Sequence, residues 1–192
     1  YMRLDPYIAN MMHHEKPEVQ EQGAQLACIA GISHAAMESE EAIVRAQTLA
    51  DESTTASAPL TWKKGAATIY SHNITGGPKD ICIQKLYELL NEEDKQVQDT
   101  IGRVFYSFHE EHFFVLRDFI ESYARLSKSE NHKFTEYLLD FGLLDPEWTL
   151  SVVKMILDNK KFLDQSPWAT GIEEIIRLVL KIYTFPTVDE PL

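Results

Sequence analysis

Pro17-Glu18-Val19-Gln20-Glu21-Gln22-Gly23-Ala24-Gln25-Leu26 is answered 42 residues later by Pro59-Leu60-Thr61-Trp62-Lys63-Lys64-Gly65-Ala66-Ala67-Thr68. A further 36 residues on, Lys95-Gln96-Val97-Gln98-Asp99-Thr100-Ile101-Gly102-Arg103-Val104 keeps the same columns. Each copy has a β-branched residue near its start, Val19, Thr61 or Val97, followed four and five positions later by two small or apolar residues. Glycine inside a helix costs about 0.5 to 1 kcal/mol relative to alanine, so Gly23, Gly65 and Gly102 need a compensation. Close approach of one helix pair to the next supplies it, and the three copies read as repeated helix pairs.

Outward from these copies, prolines mark where helices begin. A proline is tolerated in the first turn, where its missing N–H has no partner to lose, and disrupts a helix interior. Six of the eight prolines stand before a stretch of helical period: Pro6, Pro17, Pro59, Pro78, Pro146 and Pro167. Asp5, Asp145 and Ser166 precede three of them with a capping oxygen. Together with the apolar spacing, these marks predict about ten helices near 4–14, 17–33, 37–51, 59–74, 78–91, 95–109, 112–127, 130–142, 146–160 and 168–184. The stripe Ile81, Leu86, Leu89 and Leu90, with Cys82 beside it, and the series Val97, Ile101, Val104, Phe105 and Phe108 are the clearest. No stretch alternates as a half-buried strand does. The fold class is therefore all-α. Short connections make consecutive helices antiparallel, giving about five hairpins of roughly 38 residues over 1–184. The stretch 185–192, with two prolines, reads as a tail or linker.

Composition agrees with a folded chain. With 192 residues, 44% hydrophobic and 25% charged, it is long enough to bury a core and unlike a disordered or collagen-like sequence. Its 18 basic and 30 acidic residues leave a formal charge of -12, which repels phosphate backbones, so nucleic acid is not an expected partner. No apolar run approaches the roughly 18 residues of a membrane span. Cys28 and Cys82 stand in apolar surroundings and read as core residues, and so few cysteines fit a reducing, cytoplasmic setting. The chain begins at Tyr1 with no signal or transit pattern, and a piece of something longer is expected.

Lys16-Pro17-Glu18-Val19-Gln20, followed by Gly23-Ala24 and Leu26, resembles the second-helix signature of HEAT repeats. The resemblance covers the first three hairpins, 4 to about 109, and implies a right-handed α-solenoid. The family's arginine column holds Gln20, Trp62 and Gln98 here, which departs from its inter-repeat Asp/Arg ladder. In the second half, Gly102-Arg103-Val104-Phe105-Tyr106-Ser107-Phe108, Phe119-Ile120-Glu121-Ser122-Tyr123-Ala124, Leu138-Leu139-Asp140 and Ile175-Ile176-Arg177-Leu178-Val179-Leu180-Lys181-Ile182-Tyr183 resemble the C-terminal HEAT-like region of bacterial STAND and NACHT-type NTPases, many implicated in anti-phage defence. What this implies is a non-catalytic scaffold or sensor arm holding a protein partner or another domain of its own chain. Trp62, Gln20, Gln98 and Lys63 are then the candidate partner-binding residues. Trp62 is either an exposed anchor or a ring folded inward over Ala66 and Ile69.

Chemistry-bearing clusters are sparse. His109-Glu110-Glu111-His112 suggests, as the alternative, a small helical metal-dependent hydrolase using His109, Glu110 and His112, but its histidines are three apart where a helical zinc site uses four. His13-His14-Glu15 falls in the turn before Pro17. Gly76-Gly77-Pro78-Lys79 is no phosphate loop, and its glycines read as a helix stop. Ser53-Thr54-Thr55-Ala56-Ser57-Ala58 reads as a mobile loop, Ser127-Lys128-Ser129-Glu130 as a turn and N-cap. Glu38-Ser39-Glu40-Glu41 and Glu92-Glu93-Asp94 suggest divalent cations, but their place at helix starts or inter-helix turns fits the macrodipole equally well. Phe105, Tyr106, Phe108, Phe113, Phe114, Phe119 and Tyr123 read as rings filling a core. No catalytic residue, cofactor or metal ligand is assigned.

Overall fold

Some helix starts follow the proline and capping rules. Asp5, expected to cap beside Pro6, instead lies inside the first helix behind the N-cap Leu4 and makes no capping bond, and Pro59 stands at the N-cap, just outside its helix. Pro17 and Pro146 open helices, and the Asp145 side chain accepts the Trp148 N–H at 3.0 Å. Ser39 accepts the Ala42 N–H, and Asp94 those of Gln96 and Val97, each meeting orphan amides of a first turn. The computed structural model describes residues 4–33, 39–74, 79–128, 132–159 and 170–184. Its helices are α1 (Asp5–Met12), α2 (Pro17–Ile32), α3 (Glu40–Glu52), α4 (Leu60–Asn73), α5 (Lys79–Asn91), α6 (Lys95–Arg103), α7 (Arg117–Leu126), α8 (His132–Phe141), α9 (Pro146–Asp158) and α10 (Thr170–Thr184). Short 3-10 turns occupy Val104–Ser107, Glu110–His112 and Gly142–Leu144. Among the described residues there is no strand, and no helix is long and apolar enough to cross a membrane. Glu38, the Gly76-Gly77-Pro78 stop, Ser129, Glu130, Ser166-Pro167 and the tail 185–192 lie outside the described residues.

The chain divides into two compact units, Tyr1–Val104 and Phe105–Leu192, a boundary that falls inside the single array expected over 1–184. In the first, α2 packs against α1, α3 and α4, and α4 in turn against α5 and α6. Small residues allow this. A Cβ on Gly23 would stand 2.7 Å from the Met12 nitrogen, and one on Gly65 would stand 2.6 Å from the Glu21 carbonyl oxygen. Ala24, Ala27, Ala30 and Ala46 continue the seam, with Ile8, Met12 and Leu49 filling its edges.

In the second unit α7 packs against α9 and α8 against α10. Here rings do the filling. Phe105, Tyr123 and Phe134 meet at centroid distances of 4.9 to 5.2 Å, and Phe119 stacks on Phe105 at 6.1 Å. Burying each such side chain contributes about 1.5 to 3 kcal/mol. Arg117 lies over the Phe114 and Trp148 rings and pairs with Asp145, fastening α7 to α9. The backbone N–H of Trp148, bonded to its carboxyl, and then this guanidinium hold Asp145 below the usual carboxylate range.

Four expectations are corrected. The helices expected over 95–109 and 112–127 are shorter, because a 3-10 turn occupies Val104–Ser107 and the chain passes through the 3-10 turn Glu110–His112 and further turns at 113–116 before α7 begins at Arg117. A 3-10 turn repeats every three residues, so apolar steps of three and four cannot separate it from an α-helix: Ile101 at the end of α6, Val104 in the turn and Phe108 just after it are all buried. Ser53–Ala58 is a hydrogen-bonded run of turns rather than an open loop: Ser53 is buried and its hydroxyl donates to the Leu49 carbonyl, while the Ala56 carbonyl accepts from Lys63. Ile81 is exposed, and Cys82 takes the inward place on α5. Tyr106 and Phe114 are exposed as well, while the other five rings of that stretch are buried.

Candidate functional site

The four residues expected to meet a partner are all engaged by the fold. Trp62, 8% exposed, donates its indole N–H to the Met12 carbonyl at 2.8 Å, and the His13 ring stands edge-on to it at 5.2 Å. It therefore closes the corner between α1 and α4, and the exposed anchor is not its role in this conformation. Gln20 receives the Thr61 hydroxyl at 2.8 Å and donates to the His14 carbonyl, linking α2 to α4. Gln98 is fully buried and donates to the Leu90 carbonyl. Lys63 is buried too, donating to the Ala56 carbonyl and pairing with Glu92. Burial leaves Gln98 no side-chain surface to offer, and Trp62 and Lys63 little. Gln20, Trp62 and Gln98 thus all bond to neighbouring elements of the first unit.

A different set of polar residues, unmarked in the sequence reading, runs between successive layers of the first unit. Asp5 of α1 pairs with Arg45 of α3 at 3.5 Å, Glu21 of α2 with Lys64 of α4 at 3.4 Å, and Asp51 of α3 with Lys85 of α5 at 3.4 Å. In all three the acid lies on the earlier helix and the base two helices later. Gln47 donates to the Asp51 carboxylate and orients it. Partial burial pulls the Lys85 ammonium down, but the Glu88 hydrogen bond and the Asp51 charge outweigh it, so it is held charged above its ordinary value. The signal was present as acid-to-base spacings of 40, 43 and 34 residues, but such spacings become visible only once the helix pairs are aligned.

Beside the first of these pairs, α1 and α3 form an open groove of about 730 Å³ lined by Asp5, Glu40, Glu41, Ala42, Val44, Arg45 and Thr48. The lining carries three carboxylates and one guanidinium, of which only Asp5 pairs with Arg45. The Asp5 Oδ1 atom is buried without a partner, and Val44 is exposed. Such a lining suits a segment that brings cations and some apolar surface. Glu40 and Glu41 also occupy the first turn of α3, as the macrodipole reading expects.

The alternative metal cluster assembles differently from a helical site. His109 precedes the 3-10 turn Glu110–His112, and its backbone N–H donates to His112 Nδ1 at 3.0 Å, with the imidazole centroids 6.1 Å apart. That bond occupies one His112 nitrogen. Among the described residues no group of three His, Cys, Asp or Glu side chains is placed to hold a metal ion. In the first unit, burial pushes the Cys28 thiol up to about 12 and that of Cys82 to about 11, so neither is a ready thiolate at neutral pH. No family model, curated protein or solved structure matches this chain.

Proposed function

We propose that the chain is a non-catalytic helical-repeat interaction module, a right-handed HEAT-like α-solenoid of about five hairpins that holds a basic segment of a protein partner or of its own longer chain. The observation that carries this reading is the acid-to-base series Asp5–Arg45, Glu21–Lys64 and Asp51–Lys85, which ties each helix to the one two further on. A repeat array stacks like elements in this order, each contacting its neighbours. The close approach of α4 to α2 at Gly65 supports the same stacking. The expected surface changes from the second-helix column to the first-helix groove, because the column residues are consumed by the fold. On the resemblance of its second half, the natural setting is the sensor or scaffold arm of a bacterial NTPase of anti-phage defence.

A short amphipathic lysine-rich peptide tests the groove. Glu40→Lys with Glu41→Lys should weaken its binding to the full chain at least tenfold at low salt. Asp118→Lys with Glu147→Lys, an equal change of charge at exposed positions of the other unit, should weaken it far less. Equal weakening by the two pairs would mean that the peptide senses net charge alone, and the groove would lose its claim.

A further inference from the structure

Two of the acid-to-base pairs, Asp5–Arg45 and Asp51–Lys85, set alternate helices of the first unit side by side on one face. On α3, Glu40, Val44, Thr48 and Asp51 recur at steps of four, four and three and form one stripe; on α5, Ile81, Lys85 and Glu88 do the same at steps of four and three. The stripes meet where Asp51 pairs with Lys85. Val44 is 60% exposed and Ile81 49% exposed, each the one large apolar residue of an otherwise polar stripe. Two short connections separate α3 from α5, so the two helices run the same way, and both apolar residues precede the ion pair, Val44 by about 10 Å of helix and Ile81 by about 6 Å. With neighbouring axes about 10 Å apart, the two side chains stand about 11 Å from each other. Lys85 answers both Asp51 and Glu88, and Arg45 answers Asp5, whereas Glu40 and Glu41 have no ion pair among the described residues.

We propose that the basic segment held by this face is an amphipathic α-helix laid across α3 and α5, with two apolar residues seven positions apart seated on Val44 and Ile81. Its lysines or arginines lie within a turn of the residue on Val44, where Glu40 and Glu41 meet them. This rests on the interaction-module reading and adds the form and register of the occupant. Distance selects the helix, because residues seven apart share a helix face about 10.5 Å from each other. In an extended strand the residue about 10 Å along is three positions on and points to the opposite side. A polyproline helix returns to one face every three residues, about 9 Å on, but such segments dock on aromatic rings, and neither stripe contains one. Glu40, Glu41, Val44 and Ile81 are all exposed, so a helix reaches them with no rearrangement of the fold.

Two labelled helical peptides of equal composition and charge, titrated with the full chain and followed by fluorescence anisotropy, test this. Both are alanine-based, with two leucines and a pair of lysines one turn beyond one of them. In the first the leucines stand seven residues apart, in the second nine apart and so on opposite faces. The first should bind at least tenfold more tightly. Val44→Ser and Ile81→Ser, at exposed positions, should melt as the wild type does, each weaken the first peptide about three- to tenfold, and leave the second unaltered. The helical occupant is overturned if the two peptides bind alike, if neither serine variant weakens the first, if neither peptide saturates by about 1 mM, or if a proline between the leucines leaves the affinity unchanged, the result expected of an extended segment. The reading beneath it fails separately. If Glu40→Lys with Glu41→Lys changes neither affinity, the peptides bind elsewhere and the groove loses its role; if that pair weakens two peptides of equal affinity together, a basic segment is still held and only the helix is lost.

Discussion

Helices of similar length are held by opposite means in the two units. In Tyr1–Val104 they approach to backbone distance across Gly23, Gly65 and a run of alanines, and acid-to-base pairs lace the layers. In Phe105–Leu192 they are filled in by Phe105, Phe119, Tyr123 and Phe134, with Arg117 laid across further rings. A seam closed by the absence of atoms is sensitive to added atoms, because no void remains to receive them. A core made of rings is sensitive to their removal, because rigid neighbours collapse only partly into the space. The contrast thus predicts opposite responses to substitution in the two halves of one chain.

The largest effect should come from Phe105→Ala, since this ring touches Phe108, Phe119, Tyr123, Phe134 and Tyr137. Its loss should cost about 3 to 5 kcal/mol in denaturant unfolding. A cost below about 1 kcal/mol would mean that the second unit repacks freely, and the contrast would fail there. Gly65→Ala comes next. A helix normally gains about 0.5 to 1 kcal/mol from that change. Here the new methyl meets the Glu21 carbonyl oxygen at 2.6 Å and the Ala24 Cβ at 2.9 Å, and backbone yields little, so a net loss of about 1 to 3 kcal/mol is expected. Cys28 and Cys82 give a local readout, because their buried, raised thiols should resist alkylation in the native state and label faster in the Gly65→Ala chain. A variant as stable and as slow to label as the wild type would remove the close-approach argument.

A smaller effect is expected from the ladder. Lys85→Met deprives Asp51 and Glu88 of their cation, but the Asp51 side chain is about half exposed and solvent screens the pair. The loss should be about 0.5 to 1 kcal/mol and should shrink in salt. A double-mutant cycle with Asp51→Asn that returns no coupling would leave the series as surface decoration.

The sequence disclosed the helices more fully than their use. Pro17, Pro146 and Asp145 mark starts because their effect is local to one turn, and Gly23 and Gly65 announced close packing because a buried helical glycine has few other compensations. Val104–Ser107 escaped because a 3-10 turn keeps the apolar residues on the same side as the helix that it ends. Trp62 was undecided from sequence, since the same column position allows a ring to lie out on a ridge or in against Met12, and only the partner carbonyl decides it. The face across α3 and α5 escaped for a related reason. Val44 and Ile81 look like ordinary apolar positions of their own helices until the Asp51–Lys85 pair sets one stripe beside the other.

The smallest predicted effect turns on sign rather than size. Glu174 of α10 accepts the Thr135 hydroxyl of α8, yet burial first, and then the nearby Glu136 charge, raise its carboxyl above the ordinary 4.5, against the pull of that hydrogen bond and of His132 and Lys133. A carboxyl whose folded value is raised contributes stability that is fully present below the ordinary value and lost as pH rises through the folded one. At neutral pH Glu174 therefore weighs against the folded state relative to a neutral side chain of its shape. Glutamine keeps an oxygen for the Thr135 hydroxyl and carries no charge into the site. Glu174→Gln should accordingly melt above the wild type at pH 7, and the gain should fade below about pH 4. Asp145 runs the other way: its value is lowered, so its contribution is present above the ordinary 3.8 and lost as pH falls through the folded value. The wild-type chain then loses Asp145 stabilisation in acid while Glu174 is relieved, and only the difference between wild type and variant isolates the second. If that difference instead grows toward acid, or if the variant melts lower at pH 7, the hydrogen bond from Thr135 outweighs burial, and the joint between α8 and α10 is an ionic one like the ladder of the first unit.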